Sequence, residues 1–205
     1  MIPSEVNVVL KDIWPMLLLF SIVLFTIRIV DVIINKKKFH LYKDLFFFSF
    51  ILYLFLLFEL VTSTDFESFS NNFIPFKEIM RYDLSSGLFY KNVIGNVLLF
   101  VPFGYFVSDI INNKKLILSM FITLVTSVSI EVIQMNIGRS FDIDDIILNF
   151  VGGIIGYGIY KFIDFIGDKV PSFLKKEWIY NILWIILVIC ATLFLLDYYN
   201  ILEVL

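Results

Sequence analysis

The chain has 205 residues, a formal charge of −3, 24 Phe and a hydrophobic content of 60%, with a mean hydropathy of +0.90. That is more apolar surface than a water-soluble domain of this size hides, so lipid is its solvent, and no basic face is present to bind nucleic acid. The opening MIPSEVNVVLKD has neither the basic stretch nor the small-residue cleavage site of a signal peptide, so the first apolar run is expected to remain as a spanning helix.

A helix needs about 20 mostly apolar residues to cross a bilayer. Six runs reach or approach that length: 13–34, 45–62, 93–111, 116–137, 143–163 and 178–196. None alternates with period two, so helices rather than strands are expected. The expected fold is all-α, a polytopic helical membrane bundle of about six transmembrane helices forming one domain over 1–205. Short polar turns such as Asn112-Asn113-Lys114-Lys115 separate the runs, apart from one long connection over about 63–91.

Positive charge near helix ends resists translocation and so sets orientation. One set of connections carries Lys36, Lys37, Lys38, Lys43, Lys114, Lys115, Lys161, Lys169, Lys175 and Lys176. The opposite side carries only Lys11, Lys77, Arg81, Lys91 and Arg139, diluted among acids. Both termini are therefore expected outside, with the lysine-rich turns in the cytosol.

In the first run Arg28 and Asp31 lie three apart near the inner end, a spacing that pairs them. His40, beside the lysines, has no metal-ligand partners nearby, and Glu59 reads as a boundary carboxylate. In the long connection, Asn72-Phe73-Ile74-Pro75-Phe76 is apolar but too short to cross, which suggests a segment in the outer interface or dipping back. The third run opens with Asn92 and Asn96, four apart and expected on one face near its outer end. Within it Pro102 removes a backbone hydrogen bond and can kink the helix, opening a cavity. The fourth run ends with Glu131 and Gln134 on one face, Glu131 about 9 Å inside the outer end at 1.5 Å per residue, where a carboxylate needs a partner.

Candidate partners follow in the turn Gly138-Arg139-Ser140-Phe141-Asp142-Ile143-Asp144-Asp145. Asp142, Asp145 and Asn149 recur at spacings of three and four and continue as Gly152 and Gly156, one stripe with a small-xxx-small pattern. The fourth run presents a matching face in Ser119, Thr123, Ser127, Glu131 and Gln134, and these two faces are expected to pack together. Arg139 supplies the forked donor that a carboxylate or phosphate prefers. The candidate pocket is thus Asn92, Asn96, Glu131, Gln134, Arg139, Asp142, Asp145 and Asn149, because ionisable groups gathered at one membrane depth mark function. In the last run the lone Cys190 reads as a small buried apolar residue rather than a redox group.

The order of these signals, from Asn72 through Pro75, then Asn92 and Gly95-Asn96, then Phe100-Val101-Pro102-Phe103-Gly104, then Glu131, Gln134, Arg139, Asp142, Asp145, Asn149 and Gly152, resembles the VanZ-like family over about 70–160. The resemblance implies an integral membrane protein of the bacterial envelope, in a family named for a member associated with resistance to the glycopeptide teicoplanin. The first and last runs flank the resembling region.

The expected partners are membrane lipids and a lipid-linked cell-wall precursor or lipoglycopeptide, held by its anionic or polar head at the outward pocket. Two alternatives accompany this expectation. One is a membrane-embedded enzyme, metal-dependent or using acid and base alone, with Glu131, Asp142 and Asp145 as its groups, although no HExxH helix, phosphate loop or nucleophile elbow is present. The other is a lipid transporter or flippase, for which the shared polar opening of the third and fifth runs is a faint internal repeat. No cofactor is implied.

Overall fold

A computed structural model of the chain describes residues 4–36, 38, 40–62, 71–111, 116–169, 171 and 176–186. The Asn112-to-Lys115 turn, Cys190 and the 187–196 part of the last run lie outside the described residues. The described chain forms α1 (Ser4–Ile34), α2 (Leu41–Thr62), α3 (Gly87–Ile110), α4 (Leu116–Asn136), α5 (Ile143–Lys169) and a helical stretch, α6, over 177–186. Four of these, α2 to α5, are long and apolar enough to cross a membrane. The protein is a helical membrane bundle, as its apolar runs require.

At one end of the bundle, α1 and α2 form a hairpin in which Phe20 stacks on Phe55 with centroids 4.5 Å apart. Arg28 bonds Asp31 at 2.9 Å, the pair its spacing predicts, and also reaches Asp44 on α2 at 2.8 Å. His40 Nδ1 lies 2.7 Å from a Glu177 carboxylate oxygen, and the backbone N–H of Tyr42 donates to Asn181. The α1–α2 connection and the start of α6 therefore share one end. The opposite end gathers the last turn of α2, the 71–86 segment and the α4–α5 turn.

The tightest pairing is between α3 and α5. Gly152 and Gly156 of α5 lie against the carbonyls of Val97 and Val101, and Gly104 of α3 lies against Gly153. A Cβ at Gly156 would also stand 2.7 Å from the Tyr105 nitrogen, so only glycine lets these backbones approach. This corrects the pairing expected from spacing: the Gly152 and Gly156 stripe faces α3, and it is Gly153 that meets α4, through Thr123. In lipid there is little hydrophobic gain from helix association, so the pair that makes the closest van der Waals contact decides the rotation of α5.

Phe100 and Phe103 of α3, Leu57 of α2 and Ile130 of α4 form the apolar core. Buried hydroxyls bond within it: Ser108 donates to the Gly104 carbonyl and lies 3.0 Å from the Ser119 hydroxyl, while Thr123 donates to the Ser119 carbonyl. Pro102 lies inside α3, and in the turn before it the Tyr53 hydroxyl donates to the Leu99 carbonyl at 2.5 Å, tying α2 to α3. An apolar cleft of ≈360 Å³ opens near this turn, lined by Phe50, Phe103, Val107, Ile122 and their neighbours.

Candidate functional site

The polar end is organised by how α4 stops. Gly138 adopts φ 90°, a left-handed conformation that costs glycine little, and Gly138 and Arg139 donate their N–H groups back to Met135 and Gln134. This Schellman turn throws the Arg139 side chain across the end of α2. Its Nη1 donates to the Val61 carbonyl at 2.8 Å, and Gln134 Nε2 donates to the same oxygen at 2.9 Å. Carbonyls in a last helical turn lack helical donors and carry the negative end of the helix dipole, so two side chains from α4 and its turn close α2. Arg139 thus bonds a carbonyl, and among the described residues its half-buried guanidinium makes no ion pair with a carboxylate.

The acids are held by N–H donors. Glu131 is 1% exposed, and its Oε2 accepts from the Asp142 backbone N–H at 2.8 Å. Asp142 caps α5, accepting from the Asp144 N–H at 2.9 Å and from the Asn72 amide at 2.8 Å. Burial raises the Asp142 pKa above the ordinary carboxylate value, and those two donors limit the rise. Asp145 accepts from Asn96 of α3, and Asn149 donates to Ser127 of α4 at 3.0 Å. The three residues read as one stripe therefore face three different partners: the 71–86 segment, α3 and α4.

Glu131, Gln134, Arg139, Asp142, Asp145 and Asn96 gather at this end, with Asn149 one turn deeper. Asn92 stands apart, donating to the Tyr82 hydroxyl at 2.8 Å. Spacing put Asn92 on the face of Asn96, but residues Tyr90–Ile94 form a π-helical turn in which the Gly95 N–H reaches back five residues to Tyr90. The wider turn rotates Asn92 away from Asn96. Two apolar clefts beside α2 are lined by none of these eight residues. The cluster is bonded largely to itself.

Asp144 was absent from the spacing argument and is the most heavily bonded of the acids. It is 1% exposed, with Oδ1 accepting from the Phe76 N–H and Oδ2 from the N–H groups of Glu78 and Ile79, at 2.7 and 3.2 Å. Phe76 holds φ 65°, unusual for an aromatic residue, while donating to it. Asn72, also buried, forms an isolated parallel bridge with Asp142 through its backbone bonds to Phe141 and Ile143. Three acids within four residues gave a signal; which of them faced the loop depended on the rotation of α5. Among the described residues, no group of three or more His, Cys, Asp and Glu is placed to hold a metal ion.

A family model described as VanZ/LLP1 matches residues 16–164, well over half of the chain. The chain belongs to the VanZ/LLP1 family. Neither the curated proteins nor the solved structures hold a match to it. The VanZ/LLP1 match extends beyond the 70–160 stretch in which the motif order lies, taking in α1 from residue 16 and all of α2 to α4. Its span includes every residue of the polar end.

Proposed function

We propose that this VanZ/LLP1 protein is a multi-pass protein of the bacterial cell membrane. In this reading it binds a lipid-linked or amphiphilic envelope molecule by its anionic or polar head at the Arg139 end of the bundle, and so contributes to resistance to teicoplanin-type glycopeptides. The observation that carries it is the state of Arg139. A guanidinium has five N–H donors; among the described residues one side-chain bond, to Val61, is made, with no carboxylate in direct contact. A half-buried cation in that state takes an anionic group in a forked pair. The lysine-poor character of this end supports its facing the exterior.

Because the acids are satisfied by N–H donors, the ligand head meets Arg139 at the rim and does not enter the cluster. Glu131, Asp142 and Asp145 hold the turn that presents Arg139, and the apolar chain of the ligand lies along the lipid face. Arg139→Ala and Arg139→Lys are both expected to abolish teicoplanin resistance conferred on a susceptible bacterium, with membrane levels unchanged, since lysine lacks the fork. Purified protein is expected to retain a polyprenyl diphosphate in native mass spectrometry and to lose it in Arg139→Ala. Normal resistance and lipid retention in Arg139→Ala at normal protein level would overturn this reading.

A further inference from the structure

The segment from Asn72 to Leu84 is not a spanning helix, yet its outward side is apolar. Phe73 is 63%, Ile74 62%, Met80 81% and Leu84 71% exposed. Its polar hooks point the other way: the Asn72 side chain to Asp142, and the backbone of Phe76, Glu78 and Ile79 to Asp144. Irregular backbone is tolerated at the edge of the hydrocarbon only where its polar groups find partners in the protein or in the hydrated headgroup layer. From Ile74 to Arg81 every N–H finds one within the protein. Ile74 donates to the Asn72 side chain, and Lys77, Met80 and Arg81 donate to carbonyls of Ile74, Phe76 and Glu78. Asp144 takes the other three, and Pro75 has no N–H.

We propose that this segment is an interfacial platform: its backbone lies at the headgroup boundary, its apolar side chains enter the acyl region of the adjoining leaflet, and Asp144 is the anchor that holds it there. Continuity favours lipid over a protein partner, because the chain runs from the platform into α3, whose Leu88, Ile94 and Leu98 are exposed on the membrane surface of the bundle. Lys77 and Arg81, also exposed, have stems long enough to carry their charges to the headgroups. The platform is independent of whether Arg139 binds a ligand.

The test places a nitroxide at Phe73→Cys or Met80→Cys in a Cys190→Ser background, reconstituted in phosphatidylcholine vesicles. Collisions with oxygen are expected to exceed those with a water-soluble nickel chelate, and a label at exposed Asp83→Cys should show the reverse. Greater nickel access at both apolar positions would overturn the proposal, as would low collision with both reagents, the mark of a protein covering the face. In Asp144→Ala the oxygen preference is expected to fall; an unchanged ratio would overturn the anchor role. If that variant does not fold, the labels in the otherwise unaltered chain still decide immersion.

Discussion

A carboxylate surrounded by N–H donors is a structural clasp, and Glu131 and Asp142 are clasps in series: α4 holds the Asp142 backbone, and the Asp142 side chain holds Asn72. Removing Glu131 leaves a buried N–H without its acceptor, so Glu131→Ala is expected to cost roughly 1–3 kcal/mol in unfolding titrations in mixed micelles, whatever it does to resistance. Asp142 has its own signature. Its folded-state pKa is raised, by burial first, so the folded protein binds that proton more tightly than the unfolded chain. Its contribution is full below the unfolded pKa and is lost as pH rises through the higher folded one. Melting temperatures recorded across the acidic range should show a smaller loss in Asp142→Asn than in the natural chain. At this scale most candidates were legible, because an acid or amide inside an apolar run is conspicuous. Asp144 was not, since its neighbours Asp142 and Asp145 are chemically identical and only direction separates them.

Among the elements, two backbone devices place the site. The glycine turn after α4 aims Arg139, and Gly138→Ala is expected to cost about 1 kcal/mol or more through strain at φ 90°. That change should reduce resistance alongside stability. The glycine seam between α3 and α5 sets how the acids of α5 face their partners. Gly156→Ala forces a Cβ against the Val101 carbonyl and should destabilise by about 1–3 kcal/mol, whereas Gly158→Ala, with nothing within 4 Å, should be neutral. Unfolding of the two variants side by side checks this. The π-helical turn at Tyr90–Ile94 was invisible to spacing because a 3.6-residue period was assumed there, and that assumption misplaced Asn92.

For the whole molecule, the two ends carry different chemistry. The His40 and Glu177 end is flanked by lysines, and the Arg139 end by acids and a bonded loop. A membrane-impermeant maleimide applied to intact cells should label Ser140→Cys and leave Lys38→Cys unlabelled in a Cys190→Ser background; the opposite pattern would put the Arg139 turn in the cytosol. The existence and bounds of α2 to α5 were readable from the chain itself, within a few residues at most ends, because lipid demands about 20 apolar residues per crossing and punishes charge inside them. So was the gathering of polar groups at one end, since alternating helices bring alternate turns together. Which polar group met which was decided only by tertiary packing. Partner choice depends on how each helix is rotated about its axis, and that rotation comes from glycine contacts between backbones, a π turn and a loop clasped by Asp144, none of which is written in the spacing of residues along one helix.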